Sequence, residues 1–334
     1  MRIAIFAFAC ALVSMPVFAQ EPSGGTLTLQ FENDKIAGTD RHYTNGVRMA
    51  WVSDKTKYEN ETVFDLLSWL YPIGDVHGGR LGFAAGQMLY TPTNTAAREL
   101  VPDDRPYAGW LYFSVAAMAE TKGDVLDADL DALDTVELSL GVVGPMAGGR
   151  YVQNTVHEII GVDTAEGWDN QLKNEPAAML TAERKWRPQP GSLGPLSYDI
   201  IPNLGASVGN VMTLVNIGST VRLGQGLHVD YGPPHIRPSL SGLDAVEPTG
   251  GRFAWYLFAG AEGRAVFHNI FLDGNTFADS HSVDRNIFVG DLLGGAALVY
   301  DKYRLTFTQI YRTREFENQK SADIFGALSL SVHF

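Results

Sequence analysis

Cysteine is almost absent from this chain of 334 residues, which contains a single one, Cys10. It lies in the N-terminal segment 1–19, where a basic residue, an apolar run and a small-residue cleavage site ending at Ala19 predict a secretory signal peptide. We therefore expect the mature domain, residues 20–334, to contain no thiol and no disulfide.

Long apolar runs and an excess of positive charge are also lacking. Beyond the N-terminal segment, no stretch offers the roughly 18 uninterrupted apolar residues that a membrane-spanning helix needs. The formal net charge is -13, which argues against nucleic acid as a partner because phosphate neutralisation requires clustered Lys and Arg side chains. Helical membrane proteins and nucleic-acid-binding proteins are therefore disfavoured.

Common hydrolase and nucleotide-binding motifs do not point to a function for this sequence. The sequence contains no His-Glu-x-x-His zinc motif and no glycine-rich phosphate loop, and we expect no serine-nucleophile turn between a strand and a helix. A histidine that activates water beside a metal ion remains compatible with the residues present.

What the sequence does contain is a strand pattern that recurs along its length. The last seven residues, Leu328–Phe334, alternate apolar and polar side chains and end on an aromatic, which is typical of the closing strand of an outer-membrane barrel. The less favoured alternative for this segment alone is the last strand of a soluble β-protein. Twelve β-rich segments occur, at 26–34, 45–54, 80–90, 108–120, 134–144, 177–187, 197–208, 211–222, 253–265, 286–299, 303–316 and 322–334.

Polar side chains fall consistently on one face of these segments. In the eleventh, Leu305 and Phe307 oppose Arg304, Thr306 and Thr308. A polar lumen and a lipid-facing wall explain this alternation, and an even strand number places both termini in the periplasm. The sequence thus predicts an all-β fold, a twelve-stranded antiparallel transmembrane β-barrel of the outer membrane with a short helix in an extracellular loop.

Strand parity places three connections at the same end of this barrel. If the first strand rises from the periplasm, residues 35–44, 91–107 and 145–176 lie at the extracellular mouth. The third connection contains Val152–Gly161, which reads as the short helix. The densest polar constellations fall in or beside these connections, so we expect them to converge on one rim. Residues 223–252, rich in Gly and Pro, predict an ordered connection of unknown role.

The first polar constellation surrounds Asn33, Asp34 and Thr44. Carboxylate and amide oxygens at the end of a strand are hard ligands that suit Ca²⁺. By parity, Asp34 shares the lumen-facing side of Glu32 and Thr44 shares that of Arg48, so both are predicted to point into the mouth. The equally acceptable alternative is that the Asn-Asp and Asn-Gly pairs simply close a hairpin.

The second constellation is Asp103–Trp110, which contains Arg105. A turn followed by a strand explains its Pro and Gly. Arg105 either pairs with a carboxylate in a structural role, the interpretation that we favour, or donates to a phosphate group.

The third constellation lies on the predicted helix. Gln153 and His157 are four residues apart and share a helical face. A histidine beside a water molecule can act as a general base near neutral pH, and Asp163 follows at a position from which it could orient the imidazole or bind metal. A purely structural histidine on a loop helix is the alternative.

At these motifs the sequence resembles the outer-membrane lipid A 3′-O-deacylase family (LpxR-like proteins). The matching segments are Phe31–Asp34, Asp40–Gly46, Tyr90–Pro92, Asp103–Tyr112 and Gly141–Gly161. The last of these is the most specific. The resemblance extends over essentially the whole mature chain, and the strand layout agrees with the twelve-stranded barrel of that family.

The resemblance implies a Ca²⁺-dependent carboxylic ester hydrolase of the Gram-negative outer membrane that acts on lipopolysaccharide. It would remove the acyloxyacyl chain at the 3′ position of lipid A, with His157 activating water and Ca²⁺ stabilising the oxyanion. The residues matched to catalysis are Asn33, Thr44, Gln153 and His157, those matched to metal binding are Asp34 and Asp163, and the candidate substrate-binding cations are Arg98 and Arg105.

The match has two departures. Lys35 stands where some members carry a second Asp, and Arg98 is the nearest cation where the family can place a lysine in the second loop. Two other functions remain open on the sequence: a phospholipase of the outer membrane, and a non-enzymatic barrel whose motifs shape its loops. In each case we expect a monomer among outer-membrane lipids.

Overall fold

The computed structural model describes residues 24–34, 42–55, 75–125, 128–234, 243 and 245–334. The predicted signal peptide lies outside these residues, as do Lys35 and Asp40 of the first extracellular connection.

A closed antiparallel β-barrel of twelve strands forms the molecule, as the sequence predicted. Neighbours in sequence are neighbours in the sheet, and the barrel closes where the first strand pairs with the last. A further three-residue strand extends one periplasmic turn, and the strands on either side of it pair directly. The strands are β1 (Gly25–Asn33), β2 (His42–Ser53), β3 (Asp75–Thr91), β4 (Ala108–Val125), β5 (Ala128–Val143), β6 (Glu175–Arg187), β7 (Gly191–Leu193), β8 (Leu196–Gly209), β9 (Met212–Gln225), β10 (Phe253–Asn269), β11 (Phe288–Tyr300), β12 (Tyr303–Arg312) and β13 (Asp323–His333).

Two α-helices lie in the extracellular connections of the described chain. The first, α1 (Gly149–Ile160), begins three residues before the predicted helix, and the second, α2 (Ile270–Asp273), is a single turn. Helix α1 ends at Gly161, whose φ of 72° is easily reached only without a side chain, and its N–H bonds back to the last turn. In the part of the chain that the structure describes, no helix is long and apolar enough to cross a membrane.

Side chains alternate between the outer wall and the lumen, which confirms the predicted faces. In β1, Leu29 and Phe31 are exposed on the outer wall, whereas Thr28, Gln30 and Glu32 are buried inside. Strand β12 shows the same alternation. Apolar outer side chains and polar inner ones are the distribution expected of a barrel whose solvent is lipid.

Ion pairs fill the lumen. Buried guanidinium groups reach carboxylates on neighbouring or facing strands, so that these charges are compensated away from water. The pairs are Arg48–Glu137, Arg222–Asp199, Arg264–Asp291 and Arg312–Asp291. The interior is therefore packed like a polar protein core.

The connection that follows β9 folds into the periplasmic end of the lumen. Asp230 of this connection is buried and accepts hydrogen bonds from Arg222 at 2.5 Å, Arg304 at 2.9 Å and the Tyr256 hydroxyl at 2.8 Å. Burial alone would raise the pKa of Asp230, but the two guanidinium groups outweigh burial and hold it below its usual range. The described residues of this connection, 226–234, 243 and 245–252, therefore fill the periplasmic end of the lumen.

Candidate active site

The outer wall of β3 and β4 is covered by protein at its extracellular end. Phe83 of β3 and Leu111 of β4 are exposed, and Leu89 and Gly109 continue the same faces toward the rim, where they pair across the two strands. Leu89 is nevertheless buried, because the connection 144–174 folds back over the barrel wall. The α1 connection therefore lies on the outside of the barrel.

Close backbone contacts hold α1 in this position. Helix α1 contacts both β3 and β4. A Cβ atom added to Gly149 would come within 2.6 Å of the Trp168 ring and 3.0 Å of Leu89. The helix therefore lies closer to these two residues than a side chain at position 149 would permit. Just before the helix, the carbonyl of Ala147 accepts a hydrogen bond from Gln87 Nε2 at 2.6 Å. The helix is thus fixed against one patch of the wall.

His157 faces inward from α1 and is buried. Its Nδ1 lies 2.6 Å from the backbone carbonyl oxygen of Asp163. A carbonyl oxygen only accepts hydrogen bonds, so Nδ1 carries the hydrogen and Nε2 of the neutral ring carries the lone pair. The Asp163 carboxylate itself is exposed, and this residue orients the imidazole through its main chain. The tautomer of His157 is the one that a general base using Nε2 requires.

Asn154 fastens the loop that supplies this carbonyl. Its Oδ1 accepts from the N–H of Ala165 at 3.0 Å, and its Nδ2 donates to the carbonyl of Ala165 at 3.3 Å. Because Ala165 is two residues beyond Asp163, this pair of bonds holds the Asp163 carbonyl against His157.

Gln153 lies one turn before His157 on the same buried face. Its Oε1 accepts a hydrogen bond from the indole N–H of Trp168 at 2.8 Å, which settles the orientation of the amide. The other end, Nε2, is buried, and no acceptor within the described residues lies in hydrogen-bond range. A buried amide N–H without an acceptor costs free energy, so this donor is suited to receive a ligand atom.

The other predicted site residues lie at the rim ends of β1 and β2. Asp34 is buried at the end of β1, and Asn33 donates through Nδ2 to the carbonyl of Thr44 at 2.8 Å. The hydroxyl of Thr44 lies 2.7 Å from that of Thr91, and both residues are buried. The ends of three strands thus bring a carboxylate, an amide and two hydroxyl groups to one rim.

The predicted orientation of Thr44 into the lumen is wrong. The register between β2 and β3 shifts between Tyr43 and Asn45, which is a β-bulge. The extra residue reverses the parity, so that Tyr43 takes the inner face and Thr44 joins Thr91 on the opposite face. Alternation counted from the sequence fails at a bulge because one residue drops out of the pairing.

A row of paired positions links the strand residues to the helix. Asn33 pairs with Asn45, Asn45 with Leu89 and Leu89 with Gly109, across β1 to β4. Adjacent strands are about 4.8 Å apart, so the row spans about 14 Å along the outer wall. Trp168 packs on Leu89 in the third position of this row. The α1 residues and the β1–β2 residues therefore occupy one region of the outer rim.

Arg98 and Arg105, the two candidate substrate-binding side chains, have different surroundings. Arg105 is fully buried, lies 3.3 Å from Glu315 and stands over the ring of Tyr90, which supports the structural interpretation. Burial alone would raise the pKa of Glu315, but Arg105 and Arg312 hold it below its usual range. The Arg105 side chain has no exposed surface, so a phosphate at the protein surface does not contact it. Arg98 is exposed, pairs with Glu166 at 3.3 Å and remains accessible.

Metal ligands do not form a compact cluster of side chains in the residues that the structure describes. No group of three or more His, Asp or Glu side chains there is spaced to hold a metal ion. The described oxygen donors at the rim are mostly neutral: the hydroxyls of Thr44 and Thr91 and the amide of Asn33, beside the carboxylate of Asp34. A metal-binding role for the exposed Asp163 carboxylate stays a prediction.

One Gly-x-Ser-x-Gly pattern does occur, at Gly205–Gly209, but it has no catalytic context. It lies within strand β8 rather than in a turn between a strand and a helix, and Ser207 is buried with its hydroxyl 2.9 Å from that of Thr181. The expectation of no serine-nucleophile turn stands for this segment.

Several site residues were not identified from the sequence. Trp168, Asn154 and Thr91 make the contacts that orient Gln153, the His157 loop and Thr44. Asn154 stands inside the most specific motif, so its position was visible although its role was not. Trp168 and Thr91 lie in irregular or terminal positions where periodicity gives no information.

Comparison with known proteins agrees with this architecture. The family model described as outer membrane protein LpxR matches residues 5–334. The solved structure of LpxR from Salmonella typhimurium superposes with a TM-score of 0.72 at 23% sequence identity, covering 92% of this chain and 100% of that one.

Two autotransporter barrels are more distant. They are the transport unit of AIDA-I from Escherichia coli (TM-score 0.37, 13% identity, covering 97% of this chain and 94% of that one) and the translocator domain of NalP from Neisseria meningitidis (TM-score 0.34, 8% identity, 93% and 88%). No curated protein sequence matches the chain significantly. The extent of the family match, together with the shared barrel, shows that this chain is an outer-membrane protein of the LpxR family.

Proposed function

We propose that this protein is a lipid A 3′-O-deacylase, an esterase that removes the acyloxyacyl chain from the 3′ position of lipid A in the outer leaflet. The observation that carries the proposal is the pair on α1: a buried His157 with its base nitrogen set by the Asp163 carbonyl, and Gln153 with a buried donor one turn away. Family membership supports the same conclusion.

The location of the pair suits a substrate that stays in the membrane. Helix α1 packs on the outer wall of β3 and β4, whereas the lumen is filled by ion pairs and closed from below by the Asp230 segment. An ester bond of an outer-leaflet lipid can approach this wall laterally while its acyl chains remain among neighbouring lipids. Access through the lumen is not needed.

Proton transfer by His157 follows from its tautomer. Nε2 takes a proton from a water molecule as the water oxygen attacks the ester carbonyl carbon, and the resulting imidazolium keeps its Nδ1–H bond to Asp163. When the tetrahedral intermediate collapses, the bond between the carbonyl carbon and the sugar oxygen breaks. The imidazolium returns its proton to that oxygen. The products are a free acyloxyacyl acid and a lipid A with a 3′ hydroxyl group.

Gln153 supplies a donor where negative charge develops. In the transition state the carbonyl oxygen becomes an oxyanion, and a fixed amide N–H aimed at it lowers the barrier without reorganisation. Trp168 fixes that amide in advance. Removing one such donor typically costs about 10²–10³ in rate.

Calcium fits the oxygen-rich rim on the β1–β2 side. The buried Asp34 carboxylate would hold the ion, with Thr44 as a further oxygen donor and Asn33 shaping the loop, because Ca²⁺ prefers carboxylate, hydroxyl and carbonyl ligands. When bound, the ion would polarise the ester carbonyl and favour the oxyanion. The exposed Arg98 is the cation best placed to meet a lipid A phosphate.

The closed barrel is also relevant to the oligomeric state of the protein. The hydrogen-bond ladder closes on itself through β1 and β13, so the sheet needs no partner chain to cover an edge. We therefore propose that the protein acts as a monomer.

Mass spectrometry of lipid A from cells that express the protein tests the proposal. We expect a loss equal to one acyloxyacyl group, absent with a folded His157→Ala variant and absent when purified protein is assayed with a chelator. Unchanged lipid A under all conditions, with the barrel folded in the outer membrane, would contradict the assignment. Cleavage of phospholipid but not lipid A in a parallel assay would replace it by a phospholipase.

A further inference from the structure

The exposed side of helix α1 carries large apolar side chains. Tyr151 is 75% exposed and Ile159 is 65% exposed. Each stands two positions from Gln153 or His157, which corresponds to about 200° around a helix, so both point away from the barrel wall. We propose that this side of α1 is embedded in the outer leaflet, among the acyl chains next to the lipid head groups. The lipid contact does not depend on whether the protein cleaves lipid A.

A charged pair on the outward face marks the periplasmic edge of the lipid-covered wall. Asp134 of β5 accepts hydrogen bonds from Arg184 of β6 at 2.7 and 2.6 Å. The two residues are paired across the strands, and they have the same parity as Leu138 and Leu180, which are exposed on the outer wall. Charged groups on this face are costly at the bilayer centre and tolerated near its edges. Trp186, the next outward residue of β6, is an aromatic of the type enriched at such edges.

The height of the apolar band places α1 at the opposite edge. Asp134 is paired with Ala119 of β4, and Gly109 lies ten residues from Ala119 toward the extracellular rim. Ten residues of strand are about 33 Å long, which a tilt of about 40° reduces to about 25 Å along the membrane normal. The apolar band of outer-membrane barrels has about the same height. The extracellular edge of the band therefore lies at the level of Gly109.

Gly109 is also the residue on which α1 rests. A Cβ atom added to Gly109 would lie 3.2 Å from Ala147 and 3.5 Å from Gly149. The next outward residue of β4 toward the periplasm, Leu111, is exposed, and so is Met146 just before the helix. A helix with its side chains is about 10–12 Å across, so a helix that begins at this edge reaches into the leaflet on the side of Leu111. The apolar surface of α1 thus continues the lipid-facing wall.

The polar edge of α1 is turned toward the extracellular loops. Arg150 pairs with Asp169 at 2.8 Å. The loop that carries Asp169 is bonded to the connection between β3 and β4, through the N–H of Glu166 and the carbonyl of Thr95 at 2.9 Å. This connection lies beyond the rim, on the water side. A helix with polar groups toward water and apolar groups toward lipid is an interfacial helix, whose apolar face is buried by about 5–10 Å.

Spin labels on α1 measure its depth without any substrate. Residues 20–334 contain no cysteine, so Ile159→Cys and Tyr151→Cys each provide a single labelling site in the mature protein. The labelled protein is placed in vesicles of phosphatidylglycerol and lipopolysaccharide. Collisions of the label with oxygen, which concentrates in hydrocarbon, are compared with collisions with a water-soluble nickel chelate. Leu111→Cys is the reference for the lipid-facing wall, and Glu158→Cys, on the polar edge beside Ile159, is the matched control.

We expect the ratio of oxygen to nickel collisions at Ile159 and Tyr151 to approach the ratio at Leu111 and to be several times the ratio at Glu158. Ratios at both α1 positions equal to that at Glu158 would place the helix in water and overturn the proposal. Labels that neither reagent reaches would show that protein covers this side of the helix, which also overturns it.

Hydrolysis kinetics separate the lipid contact from the proposed function. His157 is carried by α1, so the depth of the helix sets the level at which His157 meets an ester bond. We expect Ile159→Asp to lower kcat/KM about tenfold for lipid A in vesicles and to leave lipid A in detergent micelles, which adapt to the helix, cleaved at nearly the wild-type rate. Ile159→Leu keeps the apolar contact and should behave as wild type.

An equal loss in vesicles and micelles would refute a role of the lipid contact in catalysis while the deacylase assignment stands. If the wild-type protein cleaves lipid A in neither system, the proposed function fails, and the spin-label result alone decides the lipid contact.

Discussion

Trp168 donates its indole N–H to Gln153 Oε1 over 2.8 Å, and both residues are almost completely buried against the outer wall of the barrel. One hydrogen bond thereby decides that Oε1 of the Gln153 amide faces Trp168 and that Nε2 faces the other way. The contact joins the helix to a loop 15 residues further along the chain.

Replacing Trp168 by Phe should lower kcat about tenfold and leave KM nearly unchanged, because the amide is then free to turn its donor away from the oxyanion. Trp110→Phe is the control, since Trp110 is equally buried but stacks on Tyr112 elsewhere. Deacylation kinetics on lipid A in mixed micelles measure kcat and KM of both variants. An equal fall in the two variants would mean that lost packing, and not the hydrogen bond, is responsible.

Replacing Asn154 by Ala should reduce kcat about tenfold or more, because the loop that carries the Asp163 carbonyl loses both bonds to the helix. Nitrogen NMR of labelled histidine should then show that His157 no longer keeps its proton on Nδ1. Asn154→Asp retains the acceptor for the Ala165 N–H and should recover part of the rate. A variant with low activity and an unchanged His157 tautomer would contradict this role.

Calcium should both activate and stabilise the protein. Chelation should abolish activity, and Asp34→Asn should lower it by about 10²–10³ at a fixed Ca²⁺ concentration. Ca²⁺ should also raise the unfolding temperature of wild type in detergent but not that of Asp34→Asn, because a ligand stabilises only the state that binds it. Asp279→Asn, an exposed rim carboxylate, is the control. Full activity in the presence of a chelator would show that the reaction does not require a metal ion.

Acidification should destabilise the barrel through Asp230. Its pKa is depressed in the folded state, so this carboxylate stabilises the barrel above the pKa of the unfolded chain, and the contribution is lost as the pH falls through the folded value. Asp230→Asn should lower the unfolding free energy by about 3–5 kcal/mol at neutral pH, since Arg222 and Arg304 each lose one buried charged contact. The variant should also lose stability less steeply at low pH. Urea unfolding in lipid vesicles measures the unfolding free energy at neutral pH and its dependence on pH.

The filled lumen predicts an absence of conductance. Planar bilayers that contain the protein should show no steady channel current, because ion pairs and the segment around Asp230 occupy the barrel interior. Stable porin-like conductance of the wild type would favour the non-enzymatic alternative.

The sequence was sufficient for the barrel and insufficient for the finer geometry of the site. Alternation reports which side of a strand a residue occupies, so Leu305 and Arg304 were placed correctly from pattern alone. It fails for Thr44, because a bulge is set by pairing with a neighbouring strand and leaves no periodic mark. Loop contacts such as Trp168 with Gln153 depend on how an irregular segment folds back, which neither spacing nor composition determines.

The row from Asn33 to Gly109 lies on the outward face of the barrel, which faces lipid beyond the α1 connection. A site on that wall samples its substrate in two dimensions. Its rate should therefore follow the mole fraction of the cleavable lipid in the leaflet, and diluting the membrane in buffer should change nothing, whereas diluting that lipid with inert lipid should slow every turnover.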